Sequence, residues 1–260
     1  MPEVLIHRES AIGRVVISNP AKFNAMTTDM WAALPSCIAE LDADSNIRVI
    51  VISGDGDRAF VSGADISQFG RERSDIHSQQ RYKHAVNEAY LAPSRASKPV
   101  IAQIRGICMG GGLGLALGCD IRICSDDARF RMPAARLGLG YEDSGVQRFA
   151  ALIGIQNTLD IFFTARTFDA QEALRVGYVS RIVPAKQLKV EVDALAGLIT
   201  ENAPLTLQAV KLSALNFLHK SCLSSTPEVK AAVEACNLSR DYLEGVLAFS
   251  EKRKPRFTGH

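Results

Sequence analysis

The stretch GICMGGGLGLALGCDIRICSDDARF, residues 106–130, decides how the rest of the chain is read. Pro99 and the apolar run VIAQIR (100–105) precede it, and that run has the length of a buried strand. Five glycines then fall between Gly106 and Gly114, inside a charge-free run of 14 residues that ends at Cys119. The pattern predicts a strand, a glycine turn, a short helix and a further strand over 121–125. Glycine lets backbone approach a ligand closely, and a helix N-terminus offers unpaired N–H groups with partial positive charge. A phosphate-binding P-loop is excluded, because no Lys follows the glycines. Gly112-x-Gly114-x-x-x-Gly118 is a poor dinucleotide fingerprint, since Ile121 opens the next strand too soon for a crossover helix. From the glycines alone, ligand approach and simple close packing both stay open.

Working outward, 4–6 and 15–18 read as short β-branched strands, with Ala11-Ile12-Gly13 as the turn between them. Thr27 or Thr28 is placed to cap a helix carrying Met30, Leu34, Ile38 and Leu41 on one face, and Pro35 is expected to kink it. Residues 47–53 (IRVIVIS) form a continuous apolar run, as in a strand covered on both faces. A second glycine-containing turn follows, ending FVSGADI (60–66). After about residue 140 the strand signals fade, and 145–163, 169–177, 186–200, 205–220, 227–237 and 239–251 read as helices. The organisation is a mixed α/β front with parallel strand pairing, then a helical tail, without a repeat of 20–50 residues or a low-complexity linker.

Composition narrows the function classes. The 260 residues include 30 Lys+Arg and 28 Asp+Glu, a net charge of +2, with 47% apolar residues. This balance argues against a general nucleic-acid or membrane-surface protein. The longest charge-free run in the middle of the chain falls short of the roughly 20 apolar residues that span a bilayer. Six cysteines lack any C-x-x-C pair, and no cluster has metal-ligand spacing. With no signal peptide at the start, the expectation is reduced thiols in a cytoplasmic protein.

The motifs FVSGADI (60–66) and GICMGGGLGLALGCDIRICSDDARF (106–130) resemble those of the enoyl-CoA hydratase/isomerase, or crotonase, superfamily. The resemblance continues through RLGLGYEDSGVQR (136–148), FFTARTFDAQEALRVGYVSRIV (162–183), ENAPLTLQAVK (201–211) and DYLEGVLAFSEKRKPRF (241–257). It implies an α/β fold, a repeated ββα spiral core over 1–200, and a C-terminal helical region over 201–260 for trimerisation. It implies a homotrimer or a hexamer made as a dimer of trimers. It also implies an acyl-CoA thioester as substrate, coenzyme A entering only as part of it, with no separate cofactor and no metal. By position, the N–H groups of Ala64 and Gly111 would polarise the thioester carbonyl. An enolate-like oxygen forms there, and preorganised donors stabilise such charge by a few kcal/mol. Lys22, Ala25, Asp65, Ile66, Ser67 and Phe257 are the further CoA-thioester contacts carried over by position.

The sequence departs from the family pattern where its hydratases carry two glutamates. Those positions are Gly114 and Ala134, and neither side chain can transfer a proton. One carboxylate remains at the spacing of the proton shuttle in Δ3,Δ2-enoyl-CoA isomerases, Glu142, with Asp143 as a second candidate. Leu139 and Tyr141 are expected to desolvate Glu142 in part. Alternatively Glu142 and Asp143 are solvated carboxylates capping a helix from Ser144 or Gly145. Tyr141 resembles a tyrosine of methylmalonyl-CoA decarboxylase, which supports a decarboxylase- or hydrolase-like alternative. A third alternative is an acyl-CoA binder without chemistry. The five histidines are scattered and have no family role.

Overall fold

The N-terminal β-branched runs pair as a hairpin over seven positions each, the first mostly exposed and the second mostly buried. Strands β1 (Glu3–Glu9) and β2 (Ile12–Ser18) run antiparallel with Glu9 opposite Ile12. The tight turn is Ser10-Ala11, with Ser10 at φ 54°, rather than Ala11-Ile12-Gly13. Gly13 belongs to β2, where a Cβ would stand 2.9 Å from a Leu41 methyl, so it is a packing glycine and not a turn glycine. The structure, a computed structural model, describes residues 2–65, 67, 75–221, 234 and 237–256. By contact the chain forms two units, Met1–Phe130 with Phe168–Leu215, and Arg131–Thr167 with Asn216–His260.

The first unit carries a ββα repeat. Strands β3 (Val49–Gly54) and β4 (Ala59–Val61) precede helix α2 (Ile76–Arg95); β5 (Val100–Ile104) and β6 (Ile107–Met109) precede α3 (Gly111–Gly118); β7 (Ile121–Ser125) and β8 (Arg129–Arg131) follow. The first strand of each pair enters a six-stranded sheet, β1-β2-β3-β5-β7-β10, and the second a four-stranded sheet, β4-β6-β8-β9. Pairing from β2 through β10 is parallel, as the intervening helix lengths predict. Strands β9 (Thr167–Asp169) and β10 (Arg181–Val183) have three residues each, too short for an apolar period to reveal.

Helix α1 (Thr28–Ala43) starts where Thr27 accepts a hydrogen bond from Met30 N–H, and it buries Met30, Trp31, Leu34, Ile38 and Leu41. It continues through Pro35 as one helix. Helix α6 (Ala170–Arg175) precedes β10, and α7 (Leu188–Thr200) then lays Leu188, Val192 and Ala196 on Val49, Val51, Ile101 and Ile123. That layer explains the near-continuous apolar strands.

Helix α8 (Pro204–Ser221) is tied to this unit by one buried cation. Lys211 Nζ donates to the carbonyls of Pro93 and Lys98, 2.9 Å each, and lies 2.8 Å from an Asp120 carboxylate oxygen. Asp120 also accepts from Val100 N–H at 2.7 Å. Burial lifts the Asp120 carboxyl above its ordinary range despite Lys211. Lys211→Met is therefore expected to destabilise the protein by about 3 kcal/mol, the scale for removing one partner of a buried pair. A urea midpoint within error of wild type contradicts this.

In the second unit, α4 (Asp143–Ile153) and α5 (Ile155–Thr164) replace the single helix expected over 145–163. The break is Gly154 at φ +79°, a conformation open to glycine and costly for other residues. Helix α9 (Arg240–Ser250), capped by Ser239, packs on the short turn Ala134–Leu137. The helix expected over 227–237 lies almost wholly outside the described residues.

Candidate active site

The two glycine turns of the first unit meet. Met26 forms an isolated parallel bridge with Ala64: Met26 N–H donates to Gly63 carbonyl at 2.8 Å, and Asp65 N–H to Met26 carbonyl at 2.9 Å. In such a bridge the bracketed residue turns its own N–H to the opposite side, so the Ala64 N–H points away from Met26. Gly63 stands at φ +113°, and a Cβ there would lie 3.7 Å from the Gly111 nitrogen. The segment before Ala64 thus lies against the start of α3. Gly110 precedes that helix at φ 51°, its carbonyl accepting from Leu113 and Gly114. Gly111 is the first helical residue, so its N–H has no intrahelical partner. Among the described residues, neither Ala64 N–H nor Gly111 N–H donates to a protein acceptor.

Three of the expected CoA contacts form one cluster. Lys22 Nζ lies 2.8 Å from both an Asp65 carboxylate oxygen and Ser67 Oγ. Ser67 donates to Asp65 through its hydroxyl at 2.7 Å and its N–H at 3.2 Å. Burial works against the Asp65 charge, but Lys22 and the two Ser67 bonds outweigh it and hold the carboxyl below its ordinary range. Ala25 is buried directly before Met26, the hydrogen-bond partner of Gly63, and follows Asn24 at φ 56°. The Asn24 amide donates to Asp55 and Ala59 carbonyls and accepts from Asn19 N–H, which pins the loop that carries Lys22. Asparagine tolerates this left-handed turn better than most residues, the signal that marks it in the sequence. Ile66 and Phe257 lie outside the described residues.

The glycines after Gly111 are packing residues. A Cβ on Gly112 would stand 2.2 Å from the Val61 carbonyl, and one on Gly118 would stand 2.3 Å from the Tyr90 carbonyl. At Gly114 it would meet the Tyr90 ring at 2.5–2.9 Å. The second family glutamate position, Ala134, is buried at the start of its short turn. Tyr90 has no motif around it and was invisible to sequence reasoning.

In the second unit, Glu142 is the N-cap residue of α4 at extended backbone angles. Its carbonyl accepts from Gly145 and Val146, but its side chain makes no cap hydrogen bond. The residue is exposed. The Tyr141 ring packs edge-on to Phe162, 5.1 Å between centroids, and over Gly145, with its hydroxyl buried. Asp143 accepts from the Gln147 amide at 2.9 Å, a helix-surface pair rather than a free base.

Other candidates carry little chemistry. His7, His77 and His84 are exposed, and among the described residues no group of His, Cys, Asp or Glu could hold a metal. Burial pushes the Cys119 and Cys124 thiols up to about 12, which leaves them unreactive. In the basic run near the C-terminus, Arg253 pairs with Glu244 and Glu251. No described helix is long and apolar enough to cross a membrane.

Two sheets built from ββα repeats, with the Ala64 and Gly111 amides unbonded where their glycine turns meet, define an α/β protein. Residues 7–260 match the enoyl-CoA hydratase/isomerase family, and the chain belongs to it. It is 31% identical over 251 residues to the short-chain-enoyl-CoA hydratase of Clostridium acetobutylicum, covering 96% of this chain and 95% of that one. It is 32% identical over 260 residues to the peroxisomal Delta(3,5)-Delta(2,4)-dienoyl-CoA isomerase of Arabidopsis thaliana, covering 96% and 93%. A structure of methylmalonyl-CoA decarboxylase in complex with 2-nitronate-propionyl-CoA superposes with a TM-score of 0.88 at 26% identity, covering 99% of each chain. The relatives thus include a hydratase, an isomerase and a decarboxylase.

Proposed function

We propose that this enzyme takes an acyl-CoA thioester and moves a proton along its acyl chain, with Ala64 and Gly111 N–H groups holding the thioester oxygen and Glu142 as the base. The observation that supports isomerisation over hydration is at positions 114 and 134, where glycine and alanine replace the family's two carboxylates. Glu142 takes a proton from C2 of a 3-enoyl thioester, and the electron pair moves onto the carbonyl oxygen. The two amides stabilise that oxyanion because their dipoles are fixed before the charge appears. Return of the proton at C4 shifts the double bond and regenerates the carboxylate. A single base suffices because the same proton leaves and returns.

Lys22, Ala25, Asp65, Ile66, Ser67 and Phe257 line the CoA path in this reading, Lys22 meeting a phosphate by leaving Asp65. A second reading, decarboxylation or hydrolysis supported by Tyr141, draws on the buried Tyr141 hydroxyl and on the 2-nitronate-propionyl-CoA complex of the relative. The deciding experiment offers the purified protein 3-enoyl-, 2-enoyl- and malonyl-type CoA thioesters and reads products by mass spectrometry. Isomerised 3-enoyl thioester supports the first reading; loss of carbon dioxide from the malonyl type, without isomerisation, overturns it.

The region from residue 201 serves assembly in the same proposal. On α8, Leu205 and Leu212 lie seven residues apart on one side and are 79% and 61% exposed, and Val210 is 63% exposed, apolar surface that water does not favour. Farther along the apolar residues of the same region, Leu215 is half-buried and Leu238 is 75% exposed, while Val229 and Val233 lie outside the described residues. Sedimentation equilibrium at micromolar concentration is expected to give three or six times the 28.2 kDa chain mass. A monomer contradicts the assembly.

A further inference from the structure

Tyr90 lies along one face of α3 from end to end. Gly111, Gly114 and Gly118 are three and four residues apart and so share that face. Against it the Tyr90 carbonyl sits at Gly118, its ring at Gly114 and its hydroxyl at Gly111, 3.3 Å from where a Cβ would be. The side chain therefore runs toward the helix N-terminus and ends beside the residue whose amide is unbonded. Of the three atoms nearest that Gly111 position, two belong to the Trp31 ring and the third is the Tyr90 hydroxyl, the one polar atom of the three. Trp31 is fully buried and meets the Tyr90 ring edge-on, 5.6 Å between centroids at 89°. Tyr90 itself is half-buried.

We infer that Tyr90 is a specificity-determining residue of the acyl-CoA site, its ring forming the wall that the acyl group meets beside the Gly111 amide. The inference rests on the thioester oxygen binding at Ala64 and Gly111. Trp31 holds the ring from behind, and the glycine at 114 is required because the ring already fills the space its side chain would enter. A carboxylate at 114 has no room while Tyr90 is present. The wall is consequently aromatic where a hydrating site needs a group that holds water.

The test uses the full chain and its Tyr90→Phe, Tyr90→Ala, Tyr90→Leu and Gly114→Ala variants, with thermal unfolding to confirm folding. Each is titrated calorimetrically with coenzyme A and with butyryl-CoA, a saturated thioester that does not react. Tyr90→Ala is expected to cut the preference for butyryl-CoA over coenzyme A about tenfold, a typical scale for lost apolar contact in a pocket, with coenzyme A affinity unchanged. Tyr90→Leu serves the same comparison if the alanine variant does not fold. Tyr90→Phe keeps the ring and should keep the preference. Gly114→Ala displaces the ring and should reduce the preference, an effect largely lost in the Tyr90→Ala background. An unchanged preference in Tyr90→Ala, with wild type binding butyryl-CoA normally, overturns the inference and leaves the acyl-CoA reading standing. Tyr90→Phe falling as far as Tyr90→Ala also overturns the ring contact. Wild type binding neither coenzyme A nor butyryl-CoA overturns the acyl-CoA reading itself, and the inference with it.

Discussion

Glu142→Gln lowers turnover on the best thioester substrate by about 10²–10⁴-fold, the range a general acid–base group supplies. Glutamine keeps the shape and loses only the proton-accepting carboxylate. The start of α4 should survive the change, because the helix is closed there by the Glu142 carbonyl accepting from Gly145 and Val146 and not by its side chain. The variant is therefore expected to fold, which thermal unfolding checks. Affinity for an unreactive thioester should also hold, since the proposed backbone donors and the Lys22 loop are untouched. Steady-state kinetics and calorimetry together separate these effects. Wild-type turnover in Glu142→Gln removes this residue from the mechanism and leaves Tyr141 as the alternative. Asp143 is a weaker substitute, because its carboxylate already accepts from the Gln147 amide.

The strands that could be read from sequence are those buried on both faces. Residues 47–53, 100–105 and 121–125 are long apolar runs because helices cover them, and each appears within two residues of its expected bounds. The strands of the four-stranded sheet show no periodicity, since each has three residues and three residues hold no period; only the family resemblance, through its ββα repeat, implies them. Gly154 was the signal for the break between α4 and α5, but apolar residues continue on both sides of it and mask the interruption. Pro35 lies inside α1 as its sequence position implies, and the helix carries buried residues on both sides of it, Met30, Trp31 and Leu34 before and Ile38 and Leu41 after. At the site, the glycines by themselves leave ligand approach and close packing both open, and it is the family resemblance that singles out Ala64 and Gly111. Tyr90 left no trace, because its importance comes from the volume it fills against Gly114, a contact between helices that no sequence spacing encodes. Glu142 is legible only through the spacing the family resemblance supplies, and its exposure is not legible at all.

Gly63→Ala is expected to reduce kcat/KM by about 10²–10³-fold, the scale of losing one oxyanion donor. Two costs converge at this residue. Its φ of +113° lies where L side chains rarely go, so alanine must either carry strain on the order of 1–3 kcal/mol or swing the peptide. The peptide that would swing joins Gly63 to Ala64 and carries the Ala64 N–H. Rotation is opposed by the bonds on either side, Met26 N–H to Gly63 carbonyl and Asp65 N–H to Met26 carbonyl. If those bonds hold, the new methyl stands 3.4 Å from the Met109 carbonyl oxygen and 3.7 Å from the Gly111 nitrogen, beside the proposed oxygen site. If they yield, the Ala64 donor turns away from it. Either route raises the barrier for enolate formation more than it weakens the remote CoA contacts, so kcat should fall further than KM rises. Asn24 provides the contrast: Asn24→Ala loosens the neighbouring loop by removing hydrogen bonds to Asp55 and Ala59, and should act mainly on KM. Equal kcat in Gly63→Ala and wild type, with the variant folded, is incompatible with an oxyanion site formed by Ala64 and Gly111.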